Sequence, residues 1–151
     1  IKLGPAGTGG EIMLIDESYN ANPASMRAAL AVLAASPVSD GRRIAFLGDM
    51  LELGPTENEL HVGLAALSEF DGIDSVHLAG SCMRGLHAAL PAGKRGEWFE
   101  DSDQLAHRAR RMVDAGDVCM VKGSLGMTMR RVVDEIKALG SARDARVRDE
   151  E

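Results

Sequence analysis

Short apolar runs alternate along this chain with longer stretches whose apolar residues recur every three or four positions. Residues 11–15 (Glu-Ile-Met-Leu-Ile), 43–47, 75–79, 97–99 and 118–121 read as strands, and residues 23–35, 56–70, 82–90, 102–115 and 127–139 as helices. Strands that alternate with helices in this way build βαβ units. The pattern predicts an α/β fold, a doubly wound and mostly parallel sheet of about six strands with helices on both faces and right-handed crossovers. An antiparallel edge strand is expected at residues 1–3, joined to the first core strand by a glycine-rich turn at 4–10. Asn22-Pro23 supplies a cap and a proline at the first helical position, Ser102 before Asp103 does likewise, and Gly72, Gly116 and Gly140 stand where helices should stop. Residues 141–151 mix charges without apolar periodicity and are expected to form a frayed tail.

In an open parallel sheet, ligands bind outside the carboxyl ends of the strands. That rule picks out four loops, at residues 16–23, 48–55, 80–85 and 122–126. The first, Asp-Glu-Ser-Tyr-Asn-Ala-Asn-Pro, holds more hydrogen-bonding capacity than a helix start needs. Asp16 can accept from ribose hydroxyls, Asn20 and Asn22 can donate and accept, and Tyr19 offers a flat face with a polar tip. An equally good reading has Asn22 capping the helix, Asp16 making an Asx-turn and Tyr19 packing on the rim. In the second loop, Asp49 and Glu52 can hold an ammonium group, or belong to a solvated turn set by its glycines. In the fourth, Lys122 runs into Gly123-Ser124 at a helix start, where backbone N–H groups favour an anion; the bland alternative is a surface lysine after a strand.

Composition narrows the classes. At 151 residues, with 45% hydrophobic and 26% charged residues, the chain is one globular domain. A net charge of -6 and 3% aromatics leave no global basic field or stacking platform for nucleic acid. No apolar run reaches the length of a membrane span, and two cysteines without paired spacing fit a reduced, cytoplasmic protein. The four histidines make no metal pattern; His61, on the second helix, is the one of interest. Residues 4–10 lack the Lys-Ser/Thr ending of a phosphate loop, and 80–85 lack the tight glycine spacing of a dinucleotide fingerprint. The chain begins at Ile1 without methionine and reads as a piece of a longer or processed polypeptide.

Asp16-Glu17-Ser18-Tyr19-Asn20-Ala21-Asn22-Pro23 closely resembles a signature of the Mur ligase family. Gly48-Asp49-Met50-Leu51-Glu52-Leu53-Gly54 and Val121-Lys122-Gly123-Ser124 resemble two more, in the same order. The resemblance implies a Rossmann-like C-terminal domain over residues 1–140 of a three-domain ligase. Its implied chemistry joins D-alanyl-D-alanine to UDP-N-acetylmuramoyl-tripeptide in peptidoglycan precursor synthesis. ATP phosphorylates the tripeptide carboxylate, the dipeptide amine attacks the acyl phosphate, and phosphate leaves. It further implies ATP and Mg2+ held mainly by a central domain outside this chain, partnership with the central and N-terminal domains, and a cytoplasmic monomer. No catalytic residue and no metal ligand are expected within the chain. By the family pattern, Asp16, Tyr19, Asn20 and Asn22 face the nucleotide, and Asp49, Glu52, Lys122, Gly123 and Ser124 line the dipeptide side. One position departs: where the family usually has arginine after Lys-Gly-Ser, this chain has Leu125, so a bidentate carboxylate contact is lost there. Either Lys122 or an arginine elsewhere, such as Arg84, compensates, or the dipeptide contact differs from the family's.

A non-catalytic doubly wound module is the alternative, either a nucleotide sensor or a receiver-like interaction domain. A receiver requires a phosphoacceptor aspartate at the end of the third core strand, where Gly80 stands. A stand-alone dehydrogenase ranks third, for want of the glycine fingerprint.

Overall fold

The computed structural model describes residues 2–3, 11–38 and 40–149, with side chains over 11–38 and 40–139. The turn expected at residues 4–10 lies outside them. In chain order come β1 (Lys2–Leu3), β2 (Ile12–Glu17), α1 (Pro23–Ala35), β3 (Arg43–Gly48), α2 (Glu57–Gly63), β4 (Ser75–Ala79), α3 (Met83–Ala89), β5 (Arg95–Phe99), α4 (Ser102–Met112), β6 (Val118–Lys122) and α5 (Arg130–Asp149). The strands form one sheet in the order β1-β2-β6-β3-β4-β5. β2 to β6 are parallel, and β1 pairs antiparallel with β2, as the alternation predicts.

The core strands are buried on both faces, so successive residues must serve two separate cores. In β3, Ala45 and Leu47 pack with Met26, Leu30 and Leu33 of α1 and with Met83 and Leu86 of α3. Ile44 and Phe46 pack on the other face with Leu105 and Ala109 of α4 and Val132 and Ile136 of α5. β6 divides in the same way, Val118 and Met120 to the first face, Cys119 and Val121 to the second. The order explains why: the connections from β2 to β5 advance across the sheet, whereas β5 returns to β6, and crossovers of one hand then place helices on opposite faces.

Local details depart from expectation in a few places. β2 continues to Glu17, paired with Lys122 of β6, so Asp16 and Glu17 belong to the strand end. The helix expected over 56–70 breaks at Gly63, a residue of poor helix propensity, and continues as 3-10 turns at Leu64–Ala66 and Ser68–Gly72. Asp101, not Ser102, caps α4, its side chain accepting the Gln104 amide at 2.9 Å. α5 begins after a 3-10 turn at Leu125–Met127 and runs through Gly140 to Asp149. Gly140 is therefore no stop and the backbone of 141–149 is helical, in keeping with the helix propensity of its alanines and arginines. α1 has the expected Asn22 cap, completed by Ser25 as a reciprocal capping box. No helix among the described residues is long and apolar enough to cross a membrane, and Cys82 and Cys119 are free and buried.

His77 fills an irregularity in the β4–β5 ladder. Its Nδ1 accepts the Glu97 amide at 3.1 Å, and Gly96 is required there because a Cβ would collide with the ring. Burial lowers its pKa to about 4, against the Glu97 carboxylate, which raises it. The folded imidazole is thus neutral where an unfolded one takes a proton. Its contribution is complete above about pH 6.5 and is lost as pH falls toward 4, by ~3 kcal/mol in all. Urea denaturation between these pH values should show that loss in the wild type. His77→Asn, which keeps an acceptor but does not titrate, should flatten it.

Candidate functional site

β6 lies between β2 and β3, and the chain leaves it toward α5 on one face while the flanking strands send theirs to α1 and α2 on the other. That divergence is a topological switch point, the place where open α/β sheets hold their ligands. The three sequence signatures meet there. The Ser124 amide donates to the Asp49 carbonyl at 3.1 Å, and the Leu51 amide donates to Ser124 Oγ at 2.8 Å. Ser124 Oγ in turn donates to the Ala21 carbonyl at 3.3 Å, and Lys122 Nζ donates to the Asn20 carbonyl at 2.7 Å. Gly123 packs on Gly48, where a Cβ would stand 3.2 Å from the Gly48 Cα. Residues some 70 to 100 positions apart are joined into one rim by the Ser124 amide and hydroxyl and the Lys122 ammonium.

The first loop uses part of its polar capacity on itself. Asp16 Oδ1 accepts from the Ser18 amide at 3.0 Å and from its hydroxyl at 2.6 Å, an Asx-turn, and Asn22 Oδ1 accepts the Ser25 amide. Tyr19 does not pack on the rim. It is 61% exposed, its hydroxyl donating to Glu17 at 3.2 Å, and that carboxylate raises the phenol's pKa. Asn20 is exposed, and its side-chain amide makes no hydrogen bond among the described residues.

Asp49 is buried and its oxygens accept the Cys82 and Met83 amides at 3.2 and 2.9 Å, at the start of α3. Burial raises its pKa, and those two hydrogen bonds oppose the shift. Glu52 is exposed, in the left-handed region at φ 62, and has no ion-pair partner among the described residues. Lys122 is 2% exposed, with Glu17 3.9 Å away; burial lowers its pKa and Glu17 resists. It is no surface lysine. Leu125 is 73% exposed, and Arg84 of α3 is stacked 4.8 Å over the Trp98 ring of β5.

Sequence spacing does not reveal what lies beneath the rim. His61 is fully buried, with Nε2 accepting the Met50 amide at 2.9 Å and Nδ1 2.6 Å from the Glu57 carbonyl. Its ligand atoms and those of Asp49 and Cys82 lie within 4.8 Å of one another. The donor set does not fit Mg2+, which requires oxygen ligands in octahedral array. The Nε2 lone pair is committed to Met50, both Asp49 oxygens are occupied, and burial pushes the Cys82 thiol up to about 11. The trio acts as a hydrogen-bonded keystone. The signal available in sequence was the lone histidine on the second helix.

A family model described as "Mur ligase, glutamate ligase domain" matches residues 6–125. The UDP-N-acetylmuramoyl-tripeptide--D-alanyl-D-alanine ligase of Escherichia coli (strain K12) is 37% identical over 131 residues, covering 85% of this chain and 28% of that protein. The Bacillus subtilis (strain 168) protein of the same name is 32% identical over 130 residues, 83% of this chain and 28% of its own length. The MurF ligase of Thermotoga maritima, solved with ADP, superposes with a TM-score of 0.70 over 95% of this chain and 33% of that one, at 21% identity. That likeness speaks for the fold.

Gly80 and Gly54 both have positive φ, +116 and +82, but differ in surroundings. A Cβ at Gly80 would enter the Asp49 carboxylate, whereas nothing lies within 4 Å of one at Gly54. Gly80→Ala should therefore destabilise by about 3 kcal/mol or more and Gly54→Ala by only about 1 kcal/mol, the backbone strain alone. Chemical denaturation of the two variants checks this.

Proposed function

The chain belongs to the Mur ligase family and spans about 28% of the length of the curated relatives it matches, and from that premise we propose that it is the C-terminal, dipeptide-receiving part of an ATP-dependent ligase. The whole enzyme would join D-alanyl-D-alanine to UDP-N-acetylmuramoyl-tripeptide through an acyl phosphate, as a cytoplasmic monomer acting on small molecules. The observation that carries this reading is the junction at Ser124, which brings three family signatures onto one edge.

The edge divides its labour. Asp16, Asn22, Asp49, Lys122, Gly123 and Ser124 have partners within the fold and set the shape of the rim. Tyr19, Asn20 and Glu52 project groups with capacity to spare. On the nucleotide side, Tyr19 and Asn20 offer a ring face and an amide, with Asp16 and Asn22 fixing their loop. On the dipeptide side, Glu52 offers a carboxylate to the ammonium form in which the amine arrives. A proton must leave that amine before attack on the acyl phosphate, and the chain's part is to orient it rather than to supply phosphoryl chemistry. Closure of this edge over an ATP site in the central domain would exclude water from the acyl phosphate. ATP and Mg2+ would be held chiefly outside the chain; the Asp49, His61 and Cys82 side chains, grouped among the described residues, do not offer Mg2+ the oxygen ligands it takes.

Two assays test the proposal. The full-length protein should release phosphate from ATP only when UDP-N-acetylmuramoyl-tripeptide and D-alanyl-D-alanine are both present, and the isolated chain should release none. ATP turnover by the isolated chain, or indifference of the full-length protein to the dipeptide, would refute it. Glu52→Gln should raise the KM for the dipeptide by about tenfold or less, the scale of one partly solvated charge contact, and leave the KM for ATP unchanged.

A further inference from the structure

We propose that His61 is a positioning residue for the dipeptide side of the rim, holding its second loop in the shape that presents Leu51 and Glu52. The ligand named here rests on the ligase reading; the geometry does not. His61 Nδ1 lies 2.6 Å from the Glu57 carbonyl one turn earlier on α2. A carbonyl can only accept, so the ring proton sits on Nδ1, and Nε2 turns its lone pair to the Met50 amide at 2.9 Å. Met50 is itself fully buried and lies at the centre of a short segment gripped from both ends. Before it, Asp49 receives the Ser124 amide on its carbonyl and the Cys82 and Met83 amides on its carboxylate. After it, the Leu51 amide meets Ser124 Oγ, and Glu52 takes up its left-handed turn.

Removing the acceptor strands the Met50 N–H in a dry interior. The segment can regain a partner only by lifting that amide toward water. Leu51 would leave Ser124, and Glu52 would leave its turn. An apolar ring of the same size would fill the space and still lose this control, which separates positioning from mere packing.

The test uses His61→Gln, His61→Asn and His61→Phe in the full-length protein, with amide exchange on the 151-residue chain. Glutamine can place its carbonyl oxygen where Nε2 stands, whereas asparagine stops at the Nδ1 position. His61→Gln should keep the KM for D-alanyl-D-alanine within about threefold of wild type. His61→Asn and His61→Phe should raise it by about tenfold, with kcat and the KM for ATP within about threefold. Exchange at Met50 and Leu51 should quicken by about tenfold in the asparagine variant and stay near wild type in the glutamine variant. Should His61→Phe fail to fold, the glutamine–asparagine pair still decides. Equal behaviour of that pair, or unchanged protection at Met50 and Leu51 in His61→Asn, overturns the proposal. If the wild-type protein does not consume the dipeptide, the ligase reading fails instead, and amide exchange alone decides the role of His61.

Discussion

Everything at the carboxyl edge depends on where β6 enters the sheet. By pairing with β2 on one side and β3 on the other, it delivers Lys122 and Ser124 between two loops that would otherwise end more than 9 Å apart, the width of two strand spacings. The Ser124 hydroxyl then does what no apolar residue can, accepting from Leu51 while donating to Ala21. Lys122 adds a charge-assisted bond to the Asn20 carbonyl from an almost fully buried position. Burying an ammonium is unfavourable without such partners, which is why Glu17 and the loop carbonyl converge on it.

A second tier supports the first. Asp49 ties the β3 exit to α3, and His61 ties the same segment to α2. Packing at Gly48, Gly80 and Gly123 leaves no room for a Cβ without displacing a neighbour, and at Gly123 that neighbour includes the Gly48 backbone. The outcome is a rim whose rigid members are polar residues with internal partners and whose open members are few. In the ligase proposed above, such a surface would serve to orient the dipeptide amine.

The doubly wound architecture was legible because strands buried on both faces read as unbroken apolar runs, as at Ile44 to Leu47, with amphipathic helices between. The rim was legible because the carboxyl-end rule needs only the strand ends. Individual roles were less so. Composition alone cannot say that Asp49 is spent on two amides and Glu52 on none, or that Lys122 is buried rather than solvated, because those facts follow from contacts across some 30 to 100 residues of sequence. Of the capping reading of the first loop, two parts hold, since Asn22 caps and Asp16 makes its turn, and one does not, since Tyr19 stands out from the rim instead of packing on it. His61 carried no spacing signal, since its partner is a backbone amide. Leu125 stands exposed, and the Arg84 guanidinium is stacked over the Trp98 ring.

The most direct measurement is a titration of the labelled chain with D-alanyl-D-alanine, followed residue by residue through its amide resonances. Resonances of Tyr19 to Asn22, Met50 to Glu52 and Gly123 to Leu125 should move together with one dissociation constant, since these segments form a single bonded edge. Shifts confined to the opposite edge, near Glu11, Val38 and Asp117, or separate midpoints for the three segments, would contradict it.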